Sequence, residues 1–246
     1  MHSDLAGRLA LVIGGTGDIG RAAAAQLAQR GARVVLTYAN DEVAAKEAVA
    51  ELAPHGQADL IRSDATDPAA VARLFEDVVT RHGRPSIVVH TPGQVRKKWL
   101  TRIDDADFDW LVAVNLRSVF LTLRAAAEHV LDGGRIIVVS TTLAAKMPGP
   151  FAVYAATKAA GDVLVKSLSQ ELGPRRITVN SVAPGPVDND FFRGEETPES
   201  IVEAAGFSPQ GRLGTAVDVA AVIGFLAGDT AQWVSGQIIR ANGGMY

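Results

Sequence analysis

Seven short runs rich in Val and Ile, separated by longer alanine-rich stretches, constrain this chain more than anything else in it. The runs lie at 8–13 (RLALVI), 33–37 (RVVLT), 58–62 (ADLIR), 86–90 (SIVVH), 134–140 (GRIIVVS), 176–182 (RITVNSV) and 236–240 (GQIIR). Between them, helical periodicity is read near 18–30, 41–53, 68–82, 104–130, 152–173 and 215–228. A strand that is apolar on both sides has to be covered on both sides, as in a parallel sheet. Strands that alternate with helices connect by right-handed crossovers. The pattern continues to the C-terminal end without a linker, repeat or low-complexity segment. It predicts one α/β domain over 1–246, a doubly wound parallel sheet of seven strands with helices on both faces. The segment 186–211, rich in Pro, Gly and Glu, breaks the rhythm. A loop of this length in a compact domain is functional, often a lid, or else mobile.

Composition narrows the function. With 246 residues, 48% of them hydrophobic, the chain can bury a core without covalent staples. It has no cysteine, which excludes disulfides, thiolate catalysis and cysteine-bound metals and fits a reducing compartment. A net charge of −3 and no long basic run leave no electrostatic footprint for nucleic acid. The N-terminal stretch reaches a strand without a basic region and an apolar signal core. No apolar stretch reads as long enough for a bilayer. A cytoplasmic protein with no membrane, nucleic-acid or metal partner is expected.

In such a sheet, ligands bind at the carboxyl ends of the strands, where strand order reverses. After the first strand comes GGTGDIG, Gly14 to Gly20. A glycine turn between strand and helix lets the backbone approach a pyrophosphate, and the helix N-terminus offers free N–H groups. This is the Rossmann arrangement for a dinucleotide, with Gly14, Thr16, Gly17, Asp18, Ile19 and Gly20 as the candidate contacts. Asp18 suits the helix dipole but would repel a phosphate, so it is expected to be an N-terminal cap aimed away from the ligand. At the end of the second strand, an acidic residue would bind the adenosine ribose and select NAD; Tyr38 stands there instead. No arginine at Gly17, Ala39 or Asn40 is available to clamp a 2′-phosphate, and Asp41 and Glu42 follow. The balance tips slightly to NADP(H).

VYAATKAAG, residues 153–161, places Tyr154 and Lys158 one helical turn apart. A phenol with an ordinary pKa of about 10 must ionise about 2–3 pH units lower to exchange protons near neutrality. A cation within about 4–6 Å favours the phenolate, and Lys158 is expected to supply it.

Taken in order, GGTGDIG, SDATD (63–67), VNLRSVF (114–120), GRIIVVST (134–141), YAATK (154–158), ITVNSVAPGPV (177–187) and the segment 211–244 resemble the short-chain dehydrogenases/reductases, and within them the 3-oxoacyl-(acyl carrier protein) reductase and carbonyl reductase group. The resemblance covers essentially the whole chain. It implies hydride transfer between a nicotinamide and a carbonyl or secondary alcohol. Tyr154 is implied as general acid/base, Lys158 as its partner and a ligand of the nicotinamide ribose. Asn115 is implied as the residue whose backbone carbonyl holds a relay water. The serine of the family falls at Thr141, with Ser140 and Thr142 as alternatives. Strand alternation would turn Ser140 to the opposite side.

The resemblance also implies cofactor contacts from Asp64, Ala65, Gly93, Pro184, Gly185, Val187 and Asn189. Asp64 is assigned to the adenine amino group, the alternative being a helix cap before Pro68. The sequence departs from the family where Ile13 replaces a threonine, Asp18 the middle glycine, and HTPG (His90 to Gly93) the usual Asn-Asn-Ala-Gly. Asn189 stands where a threonine contacts the carboxamide. His90 is expected to be structural. The basic RKKW at 96–99 is expected to be a solvated loop or, if the substrate is an acyl thioester on an acidic carrier or coenzyme A, an attractor for it. Phe191, Phe192 and Phe207 are candidates for an apolar substrate pocket or for lid packing. Trp99, Trp110 and Trp233 read as packing or interface residues. The substrate is left open between an acyl thioester and a small molecule such as a polyol, sugar or steroid, with a catalytically impaired dinucleotide-binding regulatory protein as the other alternative, and a homotetramer or dimer built through helices 104–130 and 152–173 is implied.

Overall fold

The computed structural model describes residues 3–146 and 149–246. Strands Leu9–Ile13 (β1), Arg33–Tyr38 (β2), Ala58–Arg62 (β3), Ile87–His90 (β4), Arg135–Val139 (β5), Thr178–Pro184 (β6) and Ile238–Ala241 (β7) form one parallel sheet in the order β3-β2-β1-β4-β5-β6-β7. The helices are Asp18–Gln29 (α1), Glu42–Leu52 (α2), Pro68–His82 (α3), Asp105–Val112 (α4), Ser118–His129 (α5), Leu143–Lys146 (α6), Ala152–Glu171 (α7), Asp190–Arg193 (α8), Pro198–Gly206 (α9) and Ala216–Ala227 (α10). The doubly wound α/β fold expected from the alternation is the fold observed, with strand ends within two residues of the sequence reading.

Period-2 alternation divides the core between the two faces of the sheet. Ala10 and Val12 of β1 pack with Leu27 of α1 and Ile223 of α10; Leu9, Leu11 and Ile13 pack with Phe75 of α3, Leu123 of α5 and Val165 of α7. Each buried Val, Leu, Ile or Phe contributes about 1.5–3 kcal/mol. Side-chain caps start the helices where the sequence supplies them: Asp41 accepts from Ala44 N, Asp67 from Ala69 N and Asp104 from Asp107 N. β1 sits between β2 and β4, Val12 lying opposite both Leu36 and Val89. The strand order reverses here, and a crevice opens above the carboxyl ends of β1 and β4.

Two segments differ from the sequence reading. The expected helix 104–130 is interrupted by a π-helical turn, Ala113–Arg117, between α4 and α5. One residue too many for α-helical spacing has been accommodated there, as often happens beside functional sites. An 18-residue window within 105–129 has a mean hydropathy of 1.3, enough by length and composition alone to cross a membrane, as a core helix also is. This corrects the expectation from sequence; in the fold it packs on α3 and α7. The second difference is 186–211, which is not a plain loop. Asn189 caps α8, a reciprocal Thr197–Ser200 capping box starts α9, and a bridge between Val187 and Gly214 pins its base.

Candidate active site

A cavity of about 1050 Å³ occupies the crevice above β1 and β4. It is lined by Gly14, Thr16, Gly17, Asp18, Ile19 and Gly20 of the glycine turn, by Tyr38, Asp64 and Ala65 at the ends of β2 and β3, and by Gly93 after β4. Thr141, Tyr154 and Lys158 line it from the other side, with Pro184, Gly185, Val187 and Asn189 after β6. Seventeen of the eighteen residues singled out from sequence therefore meet at one cavity.

The remaining one is Asn115, whose expected part is played by its backbone carbonyl and not by its side chain. Asn115 is fully buried in the π turn and does not line the cavity. Its Oδ1 accepts from Gln94 N and its Nδ2 donates to Gln94 O, both at 2.8 Å. The side chain thus clamps the loop after β4, while Ala113, Val114 and Ser118 of the same stretch face the cavity.

The glycine turn is shaped for a backbone-bound ligand. Gly14 has φ +75°, and a Cβ at Gly20 would stand 2.3 Å from Gly14 O. The first helical turn can approach the strand end that closely only without a side chain. Gly17 holds the N-cap position of α1 with no side-chain cap, so Asp18 is the first helical residue, exposed at the cavity rim. That corrects the expectation of a capping Asp18 turned away from the ligand. Asp64 is not the cap of α3 either, because Asp67 is; Asp64 Oδ1 accepts from Thr66 N and Oγ1 at 2.8 and 2.7 Å. At the end of β2, both carboxylates that follow Tyr38 are engaged: Asp41 caps α2, and Glu42 pairs with Lys46 at 2.7 Å. Arg62, which the sequence reading passed over, donates through Nε to Ala39 O at 3.0 Å beside this end.

Around the phenol, three consecutive residues at the end of β5 divide their roles. The Thr141 hydroxyl lies close enough to the Tyr154 phenol to favour its ionised form. Ser140 faces the other way, as alternation requires, and its Oγ donates to Asp162 at 2.9 Å. Thr142 Oγ1 donates to Ala183 O at 3.0 Å. Of the three hydroxyls, only that of Thr141 is directed at the tyrosine.

Tyr154 is 7% exposed and Lys158 4%. Lys158 Nζ donates to Val139 O at 2.9 Å and Pro92 O at 3.2 Å, and burial pushes its pKa down to about 8. Burial pushes the Tyr154 phenol up to about 12, against the lowering effect of the Thr141 hydroxyl. Burial thus works against the depression of the phenol pKa expected from Lys158. Removal from water outweighs everything else at Tyr154, and the ammonium is spent on two backbone carbonyls rather than on the phenol oxygen.

His90 is fully buried, with Nδ1 3.0 Å from Thr122 Oγ1 and Nε2 3.2 Å from Ser118 Oγ. It bridges β4 to α5, a structural position. Asn189 Oδ1 is used in capping Phe192 N at 3.0 Å, which leaves its amide donors toward the cavity.

The lid segment and the loop after β4 are joined by charge. Lys97 pairs with Glu196, Arg96 with Glu195 and Asp107, and Lys98 with Asp107. The RKKW cations are therefore neither a free solvated run nor an open attractor. Phe191 stands over the site, its ring centroid 6.5 Å from that of Tyr154. Phe192 and Phe207 also line the cavity, with Phe151, Leu143 and Met245, which sequence reasoning did not single out. Trp110 lies beneath the Arg96 guanidinium at 4.1 Å, and Trp99 packs near Gly149, whereas Trp233 is 97% exposed. Among the described residues, no group of three or more acidic or histidine side chains gathers as a metal site.

A glycine turn at the switch point of a doubly wound sheet, sharing a cavity with a Thr–Tyr–Lys trio, defines an oxidoreductase of carbonyl/alcohol pairs. Comparison with known proteins gives the family. A model described as enoyl-(acyl carrier protein) reductase matches residues 15–246. Versicolorin reductase stcU of Emericella nidulans is 40% identical over 255 residues, covering 98% of this chain and 97% of that protein. An NADPH-dependent aldehyde reductase-like protein, chloroplastic, of Arabidopsis thaliana is 37% identical, covering 98% and 94%. The crystal structure of a dehydrogenase/reductase from Sinorhizobium meliloti 1021 superimposes with a TM-score of 0.94 at 36% identity, covering 99% of this chain and 96% of that one. The chain belongs to the short-chain dehydrogenase/reductase family.

Proposed function

We propose that this protein reduces the carbonyl group of an apolar cyclic ketone with NADPH, with Tyr154 as the general acid. The observation that carries the reading is the buried phenol: protonated at neutral pH, beside the Thr141 hydroxyl, and lining a cavity that also holds the glycine turn. The glycines that a Cβ would obstruct fit a pyrophosphate, and Lys158, Gly93 and Asn189 would hold the nicotinamide end. Bound there, the nicotinamide supplies the hydride. Tyr154 gives its proton to the carbonyl oxygen as negative charge develops, and Thr141 donates a second hydrogen bond to that oxygen. Lys158, held by Val139 O and Pro92 O, keeps a positive charge near the phenol oxygen that is left. Phe191 and the lid exclude water.

Preference for NADP(H) over NAD(H) is supported by Tyr38 in place of an acid, by the engaged Asp41 and Glu42, and by Arg62 beside Ala39. The name of the Arabidopsis relative points the same way. The aromatic lining from Phe151, Phe191, Phe192 and Phe207 supports a ring substrate. A second reading, a 3-oxoacyl-thioester reductase, is favoured by the description of the matching family model. The ion-paired state of Arg96, Lys97 and Lys98 weighs against carrier recruitment there. The same proposal makes 186–211 the substrate lid of a single domain and places the protein in the cytoplasm. It assembles as a homotetramer or dimer through α4, α5 and α7, whose surfaces expose Phe108, Phe120 and Val163.

The test is NADPH oxidation with 2-tetralone and with acetoacetyl-coenzyme A, in the wild type and in Tyr154→Phe, Thr141→Val and Thr141→Ser. Turnover of 2-tetralone that falls about 10²–10⁴-fold in Tyr154→Phe, and that Thr141→Ser retains while Thr141→Val loses it, is the expected result. Turnover of the thioester alone would replace the first reading with the second. Full activity in Tyr154→Phe would remove both.

A further inference from the structure

Tyr154, Lys158 and Asp162 follow one another at intervals of four along one face of α7. The end of β5 meets them rung by rung. The Thr141 hydroxyl lies beside Tyr154, the Val139 carbonyl accepts from Lys158 Nζ at 2.9 Å, and Ser140 Oγ donates to Asp162 Oδ2 at 2.9 Å. The proton and hydride chemistry uses the first two rungs and has no task for the third.

Asp162 is nevertheless costly to keep. It is 8% exposed, and a carboxylate is almost never buried so far unless something pairs with it. Oδ1 faces Ser181 on β6 without closing a regular hydrogen bond. β5 and β6 contribute the hydroxyls of Ser140 and Ser181, and burial pushes the carboxyl's pKa up. On α7 itself, Lys158 and Lys166 are the charges that act on Asp162. Among the described residues, Asp162 is the charge that opposes the loss of the Lys158 proton on burial.

We propose that Asp162 is a positioning residue for the active site: through Ser140 it fixes the end of β5 against α7, and as a carboxylate one turn behind Lys158 it keeps that ammonium charged. The two effects reach the reacting atoms through different neighbours. Ser140 lies between Val139, which holds the lysine, and Thr141, which meets the phenol, so a shift at Ser140 moves both. The charge acts on Lys158 alone. This inference rests on the reading of Tyr154 and Lys158 as the working pair.

Two variants separate the effects. Asp162→Asn keeps an acceptor for Ser140 and removes the charge; Ser140→Ala removes the bond and keeps the charge. The ionisation of Lys158 is followed in the full-length protein by ¹³Cε-lysine NMR, with Lys158→Met to assign the resonance. Asp162→Asn should lower the midpoint of Lys158 by about half a pH unit or more, and Ser140→Ala should leave it within about 0.2 of the wild type. An unchanged midpoint in Asp162→Asn overturns the counter-charge role. With NADPH and 2-tetralone, each of Ser140→Ala and Asp162→Ala should lower kcat at least about threefold, and the double variant should be no worse than the poorer single one. Additive losses overturn the clamp. Should Asp162→Asn not fold, Asp162→Ser carries the same titration. The NMR midpoint needs no turnover, so it stands or falls separately from the assignment of substrate and of Tyr154.

Discussion

A methyl group added at Gly93 should disable the lysine while sparing the fold. A Cβ there would lie 2.9 Å from Lys158 Nζ, 3.3 Å from its Cε and 3.5 Å from Asn115 Oδ1. Ordinary contact begins near 3.4 Å, so Nζ must retreat by about half an ångström. Lysine can do so, because its end is flexible and Gly93 has no left-handed backbone to strain. The retreat is not free. Nζ is 3.2 Å from Pro92 O, at the long end of hydrogen bonding, and moving away from the residue next to Pro92 breaks that bond. A hydrogen bond to a charged group is worth about 1.5–3 kcal/mol. If the loss falls on the transition state, Gly93→Ala should reduce kcat/KM by roughly 10- to 100-fold, while the thermal midpoint moves by no more than a few degrees. The assay is the loss of NADPH absorbance with 2-tetralone, alongside a melting curve. A kcat/KM within about twofold of the wild type would refute the claim that these two carbonyls hold Lys158 where it works.

Two other perturbations read other parts of the site. Gly20→Ala places a Cβ 2.3 Å from Gly14 O and 3.0 Å from Gly15 Cα. Both obstacles are backbone and neither can swing aside, so NADPH titration followed by nicotinamide fluorescence should show binding abolished; wild-type affinity would show that the turn does not meet the cofactor. His90 is held neutral, its pKa pushed down to about 3 by burial and by the charge of Lys158, from 6.5 in the unfolded chain. Between these values the unfolded state binds the extra proton, so His90 contributes stability that is complete above pH 6.5 and is lost as pH falls toward 3. The slope is about 1.4 kcal/mol per pH unit. His90→Asn should flatten this part of the acid limb in urea denaturation, and a parallel limb would show that the histidine is not neutral in the fold.

The parts of this protein that were readable from its sequence are those governed by local periodicity or by fixed spacing. Both faces of β1 are apolar, and that alone implies burial between two layers. The distance from Thr141 to Tyr154 and the turn from Tyr154 to Lys158 survive into the cavity because a strand and a helix carry them rigidly. What was not readable depends on contacts between distant segments. Asn115 was read for its backbone carbonyl; the clamp its side-chain amide makes on Gln94 is a contact no local pattern announces. The phenol was expected to be acidified by its lysine, but burial, set by everything packed around it, decides the direction. The charges of Arg96, Lys97 and Lys98 look free in sequence and are matched by Asp107, Glu195 and Glu196, two of which lie about a hundred residues away. Asp162 could have been found: it continues the Tyr154–Lys158 interval by one more turn.

The π turn at Ala113–Arg117 has a consequence for how this chain can vary. An α-helix advances about 100° per residue, so an extra residue sets α4 and α5 out of phase by that angle. Each half presents its own apolar stripe, Leu111 on one side of the joint and Val119, Leu123 and Ala126 on the other. The helix is therefore written in two reading frames. A one-residue deletion between 113 and 117 would yield a more regular helix and a worse protein, because Trp110 would rotate out from under Arg96 and Asn115 away from Gln94. A change of length here disturbs both halves of the helix at once, which a substitution does not.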